Sequence, residues 1–281
     1  MSFPIYLALV SQSKKVTPSE LNRVAAALQK QATRDFGPIW NVGAMVSSFS
    51  TLDDVPVGYW PIIVEDDIHV SGAAGVHEDK DKQPFALVQY SSSWSLTASH
   101  EALEMLGDPF GSRVIAGQSP KKGQGRVEFL VEVCDPCEDA AFAYTSNGVL
   151  VSDFYTPHYF DPVKSASTRY SFGGHITAPR QVLKGGYLSW HEPVSNHWWQ
   201  EVFFGGKKQY RDLGVMGQLT GSLRSTIDGM TPVQQIVEGV SASNENLVAA
   251  VATQEVNVAS TNSKADAWRE QIKVLKAGTQ S

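Results

Sequence analysis

The segment 99–108, with the sequence SHEALEMLGD, constrains the fold more than any other part of the chain. Leucines recur through it at helical spacing, and a Gly-Asp-Pro sequence ends the pattern, which predicts a helix over residues 95–107. His100 and Glu104 are four residues apart, so on a helix they share one face about one turn apart. Two side chains at this spacing can reach one metal ion. The segment therefore predicts a helix with a polar, metal-competent face beside an apolar one.

Composition restricts the class of protein. Of 281 residues, 42% are hydrophobic and 19% are charged, which is typical of a globular chain with a large core. The net charge of −6 and the lack of a basic stripe argue against nucleic acid as a partner. No apolar run approaches the roughly 18 residues of a membrane span, and the N-terminal segment lacks the features of a signal peptide. These observations predict a cytoplasmic protein without membrane association.

The elements ahead of residue 95 follow a simple order. A long helix is predicted to begin at Thr17, Pro18 and Glu20, where Thr17 and Glu20 form a capping box and Pro18 suits the first helical position. The helix is expected to end at Gly37-Pro38. The rest of this region reads as strands, the fourth of them edge-like because of its glycines and the charged loop that follows. Strands are predicted over residues 3–10, 39–49, 60–65, 71–76 and 85–90.

This order, ending in SHEALEMLGD, resembles the N-terminal subdomain of zincin metallopeptidases. In that family a twisted mixed sheet backs the active-site helix, and the edge strand binds the substrate. The resemblance implies an α+β, zincin-like fold whose N-terminal subdomain, with two long helices, covers residues 1–110. A C-terminal subdomain of short strands and loops is expected over residues 111–228. Residues 229–281, with almost no aromatic side chains, predict a helical, low-complexity extension.

The resemblance also implies a site on the second helix. His100 and Glu104 are the expected metal ligands, Asp108 is a third, and Glu101 occupies the position of the general base. Glu104 stands where the HExxH motif has its second histidine. An additional carboxylate makes hard ions more competitive with Zn²⁺, so Zn²⁺ or another divalent cation is expected.

Further candidates lie beyond the helix. In the segment VEVCDPCE, Glu132 or Asp135 could be a remote ligand that completes the set, as a distal carboxylate does in gluzincins. In SDFYTPHYFDP, Tyr155 or His158 could donate to an oxyanion, although an aromatic loop packed on the core is the more common explanation. His77, beside an acidic loop, is expected to be a solvated turn histidine.

Cys134 and Cys137 are the two cysteines of the chain and form a CxxC motif. This motif is moderately specific for zinc or redox chemistry, and two partly buried thiols beside a tight turn are an equally good interpretation. A Cys₄ zinc site and a disulfide framework are both excluded, because no other cysteine is present.

The sequence thus predicts a metal-dependent peptidase or related hydrolase acting on a peptide or protein. The alternative is a non-catalytic, zincin-derived binding or assembly protein, which would form a homo-oligomer or larger assembly through its C-terminal tail.

Overall fold

A computed structural model describes residues 4–70, 73–80, 82–217 and 222–231 of the chain. The described elements are two β-sheets, a β-hairpin and α-helices, of which two are longer than ten residues. In chain order they are β1 (Ile5–Ser11), α1 (Pro18–Lys30), α2 (Gly37–Trp40), β2 (Ala44–Phe49), β3 (Tyr59–Glu65), β4 (Gly75–Lys80), β5 (Gln83–Gln89), α3 (Trp94–Gly107), β6 (Val114–Gln118), β7 (Arg126–Leu130), β8 (Tyr144–Ser146), β9 (Val149–Val151), β10 (Tyr187–Glu192), β11 (His197–Val202), β12 (Gln209–Gly214) and α4 (Leu223–Met230).

The first sheet has the strand order β2-β1-β3-β5-β4. Its first four strands in that order are parallel, and β4 pairs antiparallel with β5 at the edge. Residues 7–10 of β1 are all fully buried, as expected for a parallel strand that is covered on both faces. Helix α1 packs on β1 and β2, whereas α3 packs on β3, β4 and β5. The sheet therefore supports α3 along its edge half.

Helix α1 begins where the sequence predicts but does not end there. Thr17 Oγ1 accepts a hydrogen bond from the Glu20 amide at 3.2 Å, so the cap forms. The second half of the predicted capping box is wrong, because the Glu20 carboxylate accepts instead from Trp94 Nε1 on α3 at 2.9 Å. The predicted stop at Gly37-Pro38 is also wrong. The chain continues through a π-helical turn over residues 31–36 into α2, where Pro38 lies in the first turn and needs no amide hydrogen.

The edge strand lies further along the chain than predicted. It forms over β4 rather than residues 71–76, of which 71 and 72 lie outside the described residues. The charged segment expected to be a loop pairs with β5 as a hairpin, and Lys82 at its turn has a positive φ of 65°. Backbone pairing with β5 therefore makes this segment a strand, although its polar composition predicts a loop. The hairpin aims alternate side chains of β4 toward α3, and this places His77 in the interior.

The second sheet is antiparallel, with the order β12-β11-β10-β7-β6. Its strands β10 and β11 come from the aromatic segment 156–204, whose loops and short strands the sequence leaves without clear periodicity. The hairpin of β8 and β9 turns at Asn147-Gly148, with φ values of 51° and 73°, as the sequence predicts.

The described part of the chain is a mixed α+β structure, which confirms the predicted class in its broad form. One continuous hydrophobic cluster joins both sheets, running from Leu7 and Phe36 to Phe129 and Trp190. The predicted boundary at residue 228 falls inside α4, and the predicted helical extension, apart from residues 229–231, lies outside the described residues. Among the described helices, none combines the length and apolar character needed to cross a bilayer.

Candidate metal centre

Helix α3 carries His100, Glu101 and Glu104 in the interior of the protein. Glu104 is 0% exposed and Glu101 is 2% exposed, while the His100 side chain retains 12%. Ionised carboxylates are strongly destabilised in an apolar interior unless they are paired or bind a cation. The helix is fixed to the rest of the fold at this level, since Ser99 Oγ accepts a hydrogen bond from the Ser152 amide at 2.6 Å. The burial of these side chains therefore calls for nearby positive charge.

The segment after β7 brings a second set of polar groups to α3. The Cys134 amide donates to Glu104 Oε1 at 3.3 Å and fixes the start of the short 3₁₀ turn over Asp135–Cys137. The turn places Asp135 Oδ1 3.2 Å from His100 Nε2. Glu104 Oε1 lies at the same distance of 3.2 Å from that nitrogen. His100 is thus approached by one carboxylate from its own helix and one from the turn, and Asp135 is one of the two residues that the sequence offers as a remote ligand.

Potential metal ligands gather here in three overlapping groups. Within each group one nitrogen, oxygen or sulfur atom per residue lies within 4.8 Å of the others. The groups are His100 with Glu104 and Cys134, His100 with Asp135 and Glu138, and His77 with Glu101 and Glu104.

Several carboxylate oxygens in this region are buried without a hydrogen-bond donor. Among the described residues, both oxygens of Glu132 are in this state, as are Oδ2 of Asp135 and Oε1 of Glu138, whereas Asp135 Oδ1 has the contact with His100. Burial and the neighbouring Asp135 carboxylate raise the pKa of Glu132 and of Glu138 well above the usual range. Because ionisation of these buried carboxyl groups is so unfavourable, a bound cation would stabilise their charged forms. The donor set is rich in oxygen and also includes imidazole and thiol, and these groups could together hold a divalent cation.

Arg224 on α4 supplies positive charge to this cluster. Its guanidinium contacts the Glu104 carboxylate, and its Nη2 lies 3.9 Å from Glu101 Oε2. Its Nε lies 3.8 Å from Glu132 Oε1 and 3.3 Å from Asp228 Oδ2. Glu104 therefore faces His100 with one oxygen and Arg224 with the other. Arg224 thus lies against the third of the groups, His77 with Glu101 and Glu104.

His77 is buried, which corrects the expectation of a solvated turn residue. It is 3% exposed on β4, and its Nε2 lies 3.1 Å from the Asp108 carbonyl oxygen. Nδ1 lies 2.7 Å from Arg224 Nη1, an arrangement in which a neutral imidazole accepts from the guanidinium. Burial and the charge of Arg224 lower the pKa of His77 accordingly. Side chains alternate between the two faces of β4, and His77 lies on the face that points into the protein. Its charged neighbours in the sequence had suggested exposure.

The pKa values of the neighbouring residues His100 and Glu101 on α3 are shifted by different contacts. Burial lowers the pKa of His100, but its contacts with Asp135 and the charge of Glu101 outweigh this and raise it. Burial raises the pKa of Glu101, whereas its contacts with His77 and Arg224 lower it on balance. Glu101 is therefore held as a carboxylate.

The remaining predicted site residues lie in different settings. Asp108 belongs to none of the three groups in the described part of the chain, and its Oδ2 accepts from the Arg113 amide at 2.7 Å. It therefore closes the end of α3. Tyr155 is fully buried beside Glu132 and stacks on Tyr159 at 4.3 Å between ring centres, and its hydroxyl has no hydrogen-bond partner among the described residues. His158 is exposed and pairs with Asp161 at 3.0 Å, outside the three groups.

Both cysteines are buried and reduced, at 0% and 1% exposure. Burial and the neighbouring Cys137 raise the pKa of the Cys134 thiol, and burial likewise raises that of Cys137. Reactive redox cysteines have lowered pKa values and partial exposure. The motif therefore lacks the environment of a redox pair.

Comparison with known proteins adds no relative. The sequence matches no protein family, is not significantly similar to any curated protein, and the fold has no significant match among solved structures.

Three residues of this centre were missed by reasoning from the sequence alone. His77 and Arg224 are separated by 147 residues, so no local spacing connects them. Glu138 stands in the VEVCDPCE segment, where its proximity to Asp135 was the available signal.

Proposed function

We propose that this protein is a metal-dependent hydrolase of the zincin type, and most directly a peptidase. A divalent cation, Zn²⁺ above all, is bound between α3 and the turn that follows β7. His100 and Glu104 come from the helix, and the turn offers the carboxylate of Asp135, which shares a ligand group with His100 but not with Glu104. The observation that carries the proposal is the position of His100 Nε2, 3.2 Å from both Glu104 Oε1 and Asp135 Oδ1. Two ligands of a tetrahedral zinc ion, each about 2.0 Å from the metal, lie about 3.3 Å apart.

The buried oxygens support the same conclusion. Asp135 is 1% exposed; among the described residues its Oδ2 has no hydrogen-bond donor, and its Oδ1 lies 3.2 Å from His100 Nε2. A buried carboxylate oxygen without a donor costs about 1–3 kcal/mol, and a bound cation would remove that cost.

The layout of the first sheet supports a zincin-like interpretation. Strand, helix, two parallel strands, an antiparallel edge strand, a parallel strand and α3 follow one another as the resemblance implies. The helices α1 and α3 have 13 and 14 residues and correspond to the two long helices of that layout. Asp108 is left out of the ligand set proposed here, because its carboxylate is bonded at the end of α3.

The residues around the ion have separate tasks in the proposed reaction. A bound divalent cation supplies Lewis acidity, which eases deprotonation of water and stabilises negative charge on a carbonyl oxygen. Glu101, held ionised by the charge of Arg224, accepts the proton of the attacking water and passes it to the leaving amine. Tyr155, whose hydroxyl is buried beside Glu132, is the proposed donor to the negative charge that develops on the substrate, and Glu132 is a further carboxylate available to the cation.

The test measures metal content and hydrolysis together. Purified protein is analysed for bound metal, and its hydrolysis of an unstructured protein substrate such as casein is followed. We expect stoichiometric zinc in the wild type, loss of zinc in His100→Ala, and retained zinc with at least about a hundredfold slower hydrolysis in Glu101→Gln. Glu78→Gln changes an exposed glutamate on β4 and is the matched control, expected to leave both measurements unchanged. Absence of bound metal, or equal rates for the wild type and Glu101→Gln, would refute the proposal.

A second candidate function follows from the position of Arg224. The guanidinium lies against Glu101 and Glu104, and these side chains are almost fully buried. A non-catalytic protein in which these glutamates form structural ion pairs would have this arrangement. Stoichiometric metal with no hydrolysis of any tested peptide or protein would favour such a binding or assembly protein.

A further inference from the structure

Cys134 lies against the same face of α3 as the proposed ligands. Its sulfur is within 4.8 Å of ligand atoms of His100 and of Glu104. The thiol is directed at the helix, since Sγ lies 3.9 Å from the His100 carbonyl oxygen. The amide of the same residue donates to Glu104 Oε1 at 3.3 Å, so the backbone that carries the thiol is fixed to the carboxylate. These contacts hold sulfur, imidazole and carboxylate donors around one point.

We propose that the Cys134 thiolate is a ligand of the ion bound by His100 and Glu104. The inference rests on the metal site of the proposed function and adds a sulfur donor to it. Thiolate ligands favour zinc-like and softer ions, whereas Mg²⁺, Ca²⁺ and Mn²⁺ prefer oxygen donors. The site should therefore select Zn²⁺ or Co²⁺ despite its many carboxylates. Binding breaks the S–H bond, the proton leaves to solvent, and the sulfur lone pair enters the bond to the cation.

Cys137 provides a natural comparison within the same turn. It is as deeply buried as Cys134, at 1% against 0% exposure, and follows it by three residues. It belongs to none of the three ligand groups among the described residues. A general effect of a buried thiol would therefore be common to both cysteines, whereas ligation is specific to Cys134.

Cobalt substitution tests the inference, because a thiolate bound to Co²⁺ gives an intense near-ultraviolet charge-transfer band that oxygen and nitrogen donors do not give. The full-length protein is freed of metal under reducing conditions, titrated with Co²⁺, and measured by absorption and metal analysis. The titration is repeated on Cys134→Ser and Cys137→Ser. We expect the band in the wild type and in Cys137→Ser. In Cys134→Ser we expect no band and at least tenfold weaker binding of Zn²⁺ in competition with a chelator.

Because the chain has two cysteines, the test remains decisive even if Cys134→Ser does not fold. A band in Cys137→Ser can only come from Cys134, because no other thiol remains. Stoichiometric Co²⁺ without a band in the wild type would overturn the inference and leave the proposed function standing. A band that disappears in Cys137→Ser and persists in Cys134→Ser would overturn it as well. Failure of the wild type to bind Co²⁺ or Zn²⁺ at all would overturn the proposed function itself.

Discussion

Arg224 sets one guanidinium against carboxylates from separate segments of the chain. It contacts Glu104 and lies within 4 Å of Glu101 on α3, of Glu132 ahead of the turn, and of Asp228 one helical turn away. All but Asp228 are almost fully buried. Removing one partner of a buried ion pair leaves an uncompensated charge, which costs much more than the pair contributes. The charge of Arg224 is therefore required for the stability of the fold, whether or not it takes part in the proposed reaction.

The substitution Arg224→Met tests this requirement, because it keeps an unbranched apolar side chain and removes the charge. We expect the free energy of unfolding of the metal-free protein to fall by about 3–5 kcal/mol, measured by urea denaturation. Lys15→Met breaks an exposed pair with Asp66 and is the control, expected to leave that free energy nearly unchanged. A metal-free Arg224→Met protein as stable as the wild type would contradict the role given to Arg224.

At this scale the sequence predicted one part of the centre and not the other. The proximity of His100 to Glu104 follows from the helix period, and the acidic turn at Asp135 was recognisable as a remote source of ligands. Arg224 was not recognisable, since a single arginine in a short helix carries no pattern that points to a partner. His77 was misjudged because its acidic neighbours in sequence suggested exposure, whereas pairing of β4 with β5 turned it inward.

The contact between β4 and α3 depends on a residue without a side chain. A Cβ atom on Gly75 would lie 2.6 Å from Thr97 Cγ2 and 2.7 Å from Glu101 Oε1. These distances are shorter than side chains tolerate, so the strand could not stay at its present distance from the helix. Gly75 thus lets the edge strand approach the helix that carries the proposed base.

We expect Gly75→Ala to push β4 away from α3 and to lower the free energy of unfolding by about 1–3 kcal/mol. Hydrolysis should fall with it, because Glu101 is one of the two side chains displaced. Gly205→Ala is the matched control, since a Cβ there meets nothing within 4 Å. Adding Thr97→Ser, which removes the closer clashing methyl, should restore part of the stability. Equal denaturation midpoints and rates for Gly75→Ala and the wild type would show that the strand has room to move.

Elements with strong local signals were predicted well. The cap of α1, the span of α3 and the Asn147-Gly148 hairpin all agree with the structure. The central strands β10 and β11 were not separated from their loops, because buried polar residues such as Ser189, Gln200 and Glu201 interrupt any alternation of polar and apolar side chains. Where tertiary pairing decides the structure, as in β4, local composition was misleading.

The proposed centre lies where the two sheets meet. Helix α3 packs on the first sheet, and the turn with Asp135 follows β7 of the second. An ion bound between them would connect the two halves of the fold in addition to their shared hydrophobic cluster. Anything that binds the native state and not the unfolded chain stabilises the fold by mass action.

Chelation should therefore lower the stability of the whole molecule. Zinc in hundredfold excess over its dissociation constant is expected to raise the free energy of unfolding by about 2.7 kcal/mol, seen as a rise of several degrees in Tm by calorimetry. The difference between zinc-loaded and chelated protein should vanish in His100→Ala. An equal shift in that variant would place the stabilising ion elsewhere.

The position of Arg224 also bears on how the protein is made. On the ribosome, β4, α3 and the turn are synthesised well before α4, so their carboxylates exist before the guanidinium that lies against them. A nascent chain that has reached only the turn must find its counter-charge in the surrounding solution. The order of these segments along the chain therefore allows an ion to enter before the last of them arrives.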